Sequence, residues 1–460
     1  MRKLALAAVL AALQTGVALA APPKIATAFS LRLRWEHFDA PARNRTADRT
    51  YDLGLARARF GADAAWEHWK LHGMVQAAGA LGIPENGSFG AGPTYLTANH
   101  GNTSPSQIVL AELSANYKNH GLDLTLGRQA YADGFEVPTG VAHLDGIKKR
   151  RLSDRLVGVF EWPNVGRRFD GVSFGYGLNG GRALHLAGFA LRPLDGAFDF
   201  EDAFQEIDDI SVYGLTLTGR YGALLPDTEV RAFAIQYEDD RKAAPAGGLS
   251  ITTAGASVLH GGEKSDLLLW GVIQKGEYGR ADQNAWAVVV DAGRRFDNLP
   301  GKPAIHLAGE QSSGDTPGSD HLTFFNLLPT NHKYYDLMDF SAFSNLRDLY
   351  VEALFAPSQT VKVRAAFHDF HLSETTDGWY GGSGAFEKDS FGYTPRLPAA
   401  GRYPAKDLGR ELSTDITWAV RKDLSLAVGG GRFWGGKAAE AFLPVEADGT
   451  WLYLELNWAR

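Results

Sequence analysis

The sequence predicts an all-β protein, a transmembrane antiparallel β-barrel of about 18 strands with short periplasmic turns and long extracellular loops. Three observations lead there. Segments of about ten residues carry one apolar and one polar face, the connections between them alternate short and long, and an export leader is followed by no apolar helix.

The leader comes first in the chain. Arg2 and Lys3 precede an apolar run from Leu4 to Leu13, and Ala18-Leu19-Ala20 offers a signal peptidase its small residues. Residues 1–20 are therefore expected to be a signal peptide, with residues 21–460 forming a single barrel domain. Beyond residue 20 there is no uncharged apolar stretch of about 18 residues, so no spanning helix is expected. At 45% hydrophobic and 22% charged, the 460 residues are too apolar for disorder. The absence of cysteine excludes disulfides and thiolate chemistry. A net charge of −7 argues against a nucleic-acid partner, which needs a basic surface.

The strands follow in order. In Phe29 to Glu36, Phe29, Leu31, Leu33 and Trp35 share one face, and Arg32, Arg34 and Glu36 share the other. The pattern recurs. Val361, Val363, Ala365 and Phe367 oppose Lys362, Arg364 and His368; Leu412, Ile416 and Trp418 oppose Glu411 and Asp415; Leu452, Leu454 and Leu456 oppose Tyr453 and Glu455. Strands are expected near 26–38, 51–60, 67–78, 107–117, 122–130, 168–178, 183–191, 211–221 and 229–238, then near 249–260, 266–277, 285–296, 303–312, 346–356, 360–371, 409–421, 424–434 and 450–459. Connections 118–121, 179–182, 357–359 and 422–423 are short, whereas 80–105, 131–167, 193–210, 313–345 and 372–408 are long. The segment 155–162, RLVGVFEW, reads as loop, because counting it as a strand breaks the even number. Tyr213 and Tyr221, eight residues apart beside Leu215 and Leu217, fit the two aromatic girdles of a lipid-facing strand. Lipid leaves backbone amides unsatisfied, so the strands must close into a barrel in the bacterial outer membrane.

Four motifs resemble the alginate-export family of outer-membrane barrels: LGRQAYADG (126–134), GRRFDGV (166–172), PTNHKYYDLMDF (329–340) and NLRDLYVEA (345–353). The resemblance implies an eighteen-stranded monomer that passes an anionic carbohydrate through an arginine-rich constriction. In the alginate exporter a long periplasmic turn late in the chain helps to plug the pore. Here the corresponding turn is Lys422-Asp423 alone, so no plug is expected from that side.

A barrel this wide encloses water, so charges on its inner face and loops folded inward set selectivity. The expected pore-lining and substrate residues are Arg32, Arg34, Arg57, Arg59, Arg128, Lys362, Arg364 and Arg432, whose guanidinium forks suit carboxylates. Glu36, Glu411, Asp415 and Glu455 are expected to balance them. Arg57 and Arg59 share the parity of Leu53 and Leu55, which calls for a register break near Gly54 if the leucines face lipid. Arg128 shares the parity of Leu122, Leu124 and Leu126; its place in the family motif favours turning it inward by a bulge. Arg155, Asp170, His332 and Tyr334 are loop candidates for the mouth, with His332 and Tyr334 offered to sugar faces.

The function expected is therefore a substrate-selective outer-membrane channel for passive passage of an anionic, alginate-like saccharide. The alternatives are a general small-anion uptake porin and an outer-membrane barrel enzyme. Gly171 to Gly175 matches the G-x-S-x-G elbow, but the strand-to-helix turn that chemistry needs is missing around Ser173. No catalytic residue, metal site or cofactor is expected; the histidines lack ligand spacing. Expected partners are the saccharide, outer-membrane lipid and periplasmic export or catabolic proteins, with the chain itself a monomer.

Overall fold

The computed structural model describes residues 22–178, 184–220, 227–335, 337–381, 387–392 and 394–460. The expected signal peptide, the whole of the 179–182 turn and Tyr221 lie outside the described residues. Eighteen strands form one antiparallel sheet. The first six are β1 (Lys24–Asp39), β2 (Thr50–Ala65), β3 (Trp69–Leu81), β4 (Ser106–Asn119), β5 (Leu122–Gln129) and β6 (Phe169–Leu178). The next six are β7 (Leu184–Pro193), β8 (Ile210–Arg220), β9 (Thr228–Asp239), β10 (Leu249–Gly261), β11 (Ser265–Tyr278) and β12 (Ala281–Arg295). The last six are β13 (Ala304–Ser312), β14 (Leu346–Phe355), β15 (Val361–Leu372), β16 (Asp407–Arg421), β17 (Leu424–Gly435) and β18 (Gly449–Ala459). Among the described residues three short α-helices lie between strands: α1 (Ala91–Ala98), α2 (Ala142–Arg151) and α3 (Lys437–Phe442). Among the described residues no helix is long and apolar enough to cross a membrane.

Closure is made by β1, which pairs with β2 on one side and with β18 on the other, from Ser30 opposite Ala459 to Asp39 opposite Thr450. Every backbone row thus finds a partner, which a sheet standing in lipid requires. The outer face carries Leu33, Leu215, Val290, Leu349, Leu412 and Leu454, all exposed. Trp35, Tyr213, Trp286 and Trp434 stand near the extracellular ends of their strands, and Phe29, Phe60, Phe355 and Trp418 near the periplasmic ends. These are the two aromatic girdles of a membrane barrel. Segment 155–162 is loop, with one isolated bridge between Val157 and Leu328. The β16 to β17 turn is Lys422-Asp423, as expected.

The upper lumen is apolar. Leu53 and Leu55 are 0% and 3% exposed and face inward with Arg57 and Arg59, and the β1 to β2 register runs unbroken from Lys24–Ala65 to Asp39–Thr50. The expected break near Gly54 is absent. The leucines point inward because extracellular loops fold down and bury them: Phe38 stacks on Tyr51 at 4.8 Å, and the Tyr51 hydroxyl donates to the Phe89 carbonyl at 2.9 Å. Phe340 meets Phe89 edge-on at 4.9 Å. Parity alone cannot tell grease facing lipid from grease facing a packed loop.

Candidate functional site: a charged lumen and the loop that fills it

The loop between β5 and β6, residues 130–168, descends into the barrel and meets its wall on opposite sides. Its helix α2 reaches the periplasmic end of β10. There the absence of a side chain at Gly261 makes room for Leu144, whose Cδ2 lies 2.4 Å from where a Cβ would stand.

On one side the wall is basic. Alternation on β1 points Arg32, Arg34 and Glu36 inward, and β2 adds Arg57 and Arg59. Arg34 is fixed by Glu36 at 2.7 Å and Glu455 at 3.4 Å; Arg32 lies 3.9 Å from Glu455. The descending loop presents Glu161 here. Its carboxylate lies 2.8 Å from Arg57, 2.9 Å from Arg59 and 2.8 Å from Arg168 at the loop's own end. Arg32 donates to the Glu161 carbonyl at 2.9 Å and Arg34 to the Trp162 carbonyl at 2.9 Å. Trp162 is sandwiched, with the Arg34 guanidinium 3.8 Å from its centroid and the His332 ring 3.9 Å away. Burial alone raises the Glu161 pKa, but Arg168, Arg57 and Arg59 overcome it and hold the carboxyl well below the usual carboxylate range.

On the other side the loop supplies cations to wall carboxylates. Lys148 pairs with Glu229 of β9 at 2.6 Å, and Arg151 with Asp291 of β12 at 3.2 Å and with Glu352 of β14. Arg155 makes a bidentate pair with Glu310 of β13 at 2.9 and 3.1 Å. Arg231 of β9 reverses the pattern, pairing with the loop's Glu136 at 2.6 Å. Asp266, Asp291 and His306 bring ligand atoms within 4.8 Å of one another, and Arg151 already supplies positive charge there. The loop of residues 313–345 braces this arrangement. Gly158 N–H donates to the Leu328 carbonyl at 2.8 Å, and Leu328 N–H returns to Leu156 at 2.7 Å. The lumen is filled from the extracellular side.

Several expected site residues come together on the inner face. Arg364 pairs with Glu352 at 2.6 Å and lies 3.6 Å from Asp415; Glu411 accepts the Met338 N–H at 3.2 Å; Lys362 shares the inner parity of Arg364 near the periplasmic end. Others lie elsewhere. Arg128 is on the outer face: it pairs across the sheet with the exposed Leu113, its neighbour Gln129 is buried inside, and it holds Asp170 at 2.9 Å. No bulge turns it, because the β4 to β5 register is continuous through Arg128. Asp170 is likewise not a loop residue but an outward position of β6. Arg432 shares the outward parity of Val428 and Trp434 and pairs with Asp448 at 2.9 Å. Both outer arginines sit near extracellular strand ends, where a carboxylate and the membrane interface make their charge tolerable. Tyr334 and His332 offer no free ring to a sugar: Arg155 covers Tyr334 at 4.0 Å and Trp162 covers His332. Glu161 and Arg168 were not among the expected residues.

Below the loop, a cavity of about 450 Å³ opens at the periplasmic end beside Asp123, Tyr131, Phe135, Ser173 and His185. Ser173 lies within β6 and donates to Gln129 at 2.6 Å, so no nucleophile elbow is formed.

The model of the family described as alginate export matches residues 24–451. The chain belongs to the alginate export family. No curated protein matches it in sequence. Among solved structures, OccAB2 of Acinetobacter baumannii is similar with a TM-score of 0.61 at 10% identity, over 95% of this chain and 98% of that one. OpdO of Pseudomonas aeruginosa is similar at 0.58 and 12%, over 95% and 97%. OccK2 (OpdF) of Pseudomonas aeruginosa, titled as a complex with glucuronate, is similar at 0.57 and 8%, over 95% and 98%. At such identities the likeness is one of fold. With the family and the closed eighteen-stranded sheet, it makes this protein a channel of the bacterial outer membrane.

Proposed function

We propose that this member of the alginate export family passes an anionic saccharide passively, guided by the basic side of its lumen. The observation that carries the reading is the cluster of Arg32, Arg34, Arg57, Arg59 and Arg168, five guanidiniums set against the carboxylates of Glu36, Glu112, Glu161 and Glu455. Guanidinium forks bind carboxylates bidentately, and low-dielectric walls concentrate their field. The partial balance by acids keeps a polyanion from binding too tightly to leave. The glucuronate complex of the similar barrel OccK2 (OpdF) supports the same ligand chemistry.

Single-channel recording in planar bilayers tests this. Current steps blocked by oligogalacturonate and unaffected by a neutral oligosaccharide are expected. Ohmic steps that no uronate blocks point to a general small-anion porin. Silence accompanied by hydrolytic activity points to an enzyme.

A further inference from the structure

Glu161 differs from every other charge by which the descending loop is anchored. Lys148, Arg151 and Arg155 and their partners are almost wholly shielded from water, each pair being 6% exposed or less. The Glu161 side chain remains 34% exposed, although three guanidiniums converge on it within 2.9 Å. Two of those guanidiniums have their own supports. Arg59 donates to Gln76 at 2.6 Å and Arg168 pairs with Glu112 at 2.8 Å, whereas Arg57 is held by Glu161, through its carboxylate at 2.8 Å and its carbonyl at 3.5 Å. The loop backbone here is held independently through the carbonyls of Glu161 and Trp162. Three guanidiniums converging on one carboxylate that water still reaches have the donor set of a carboxylate-binding site, here filled by the chain itself.

We propose that the nest of Arg57, Arg59 and Arg168 is the entry site for a substrate carboxylate, and that Glu161 fills it as an internal surrogate which a uronate displaces. This rests on the anionic-saccharide reading and specifies where the first carboxylate binds. A tethered ligand competes at an effective concentration in the millimolar range, so a single uronate displaces it poorly. An oligouronate offers several carboxylates on one chain to the same nest and competes better. When Glu161 leaves, Arg57 and Arg59 are neutralised by the incoming carboxylate, so the basic wall stays paired while the loop loses one of its tethers.

The test uses the full barrel in planar bilayers, with tetragalacturonate as probe and maltotetraose as neutral control. Glu161→Gln is expected to lower the tetragalacturonate concentration for half-block by about tenfold or more, because the competing internal carboxylate is gone. Glu161→Asp is expected to fall between, and the response to maltotetraose to stay the same. If the wild type is blocked and Glu161→Gln is blocked at the same concentration, the surrogate is refuted and the anionic-saccharide reading stands. If tetragalacturonate blocks neither protein, the anionic-saccharide reading falls and this site with it. Should Glu161→Gln fail to give a heat-modifiable barrel, the wild type suffices: displacing Glu161 disturbs the neighbouring Trp162 sandwich. Tetragalacturonate is then expected to shift tryptophan emission in the wild type and not in Trp162→Phe; an unchanged wild-type spectrum overturns the proposal.

Discussion

The two sides of the lumen hold the same loop by opposite means. Toward β1 and β2 the loop brings one acid to a wall of arginines; toward β12, β13 and β14 it brings arginines to a wall of acids. The acidic side is dry, Arg155 and Glu310 being 1% and 0% exposed. In such surroundings neither partner can leave without stranding a buried charge, so the pairs act as permanent anchors. The basic side is wetter at Glu161, 34% exposed, where the proposed exchange puts a solute carboxylate in place of the loop's own and leaves no guanidinium unpaired. Charge alone does not separate an anchor from a binding site; access to water does.

The contrast breaks most severely at Arg155. Arg155→Ala leaves Glu310 buried and unpaired, and undocking of the loop should become easier by about 3–5 kcal/mol. A larger and less selective conductance is expected, and an unchanged step size counts against the anchoring role. On the wet side, Arg59→Ala is expected to leave the barrel intact and to raise the oligogalacturonate concentration for half-block about tenfold, roughly 1.4 kcal/mol. Equal block in variant and wild type removes Arg59 from the path.

The outer arginines supply the control. Arg128→Leu is expected to leave conductance and ion selectivity unchanged and to cost about 1 kcal/mol of barrel stability through the loss of Asp170's partner, read from the heat-modifiability midpoint. Altered selectivity places Arg128 inside instead. The smallest effect concerns the extracellular loop of residues 194–209. Burial, with Asp199 and Asp202 nearby, pushes Asp195 up to about 8; burial, with Asp202, pushes Asp199 up to about 6. Both are raised above the unfolded value of 3.8, so their contribution to loop stability is full below that value and is lost as pH rises through about 6 and then about 8. Proteolytic nicking of this loop should be faster at pH 9 than at pH 5, and the reverse order refutes the assignment.

The eighteen strands are legible because a wall between lipid and water imposes a period of two over a whole strand, as in Phe29 to Glu36. Arg32, Arg34, Glu36 and Glu455 are legible for the same reason. Leu53 and Leu55 mislead because the apolar lining of the upper lumen has the same period as a lipid face. Arg128 and Arg432 mislead in the opposite sense: an interfacial arginine with a cross-strand acid looks like a lumenal one when the acid is not known to be adjacent. Glu161 is silent in sequence, since its partners Arg57 and Arg59 stand about a hundred residues away and only folding of the loop joins them. The one local hint is the pairing of a charge with Trp162 inside an otherwise apolar loop segment.

The seam between β1 and β18 does more than close the sheet. The anchors on β12, β13 and β14 lie away from that seam, on strands that pair with neither β1 nor β18. The tie from Arg34 to Glu455 forms only when the last strand zips onto the first. The strand pairing that seals the cylinder is therefore also the pairing that sets Glu455 beside Arg34 and Arg32.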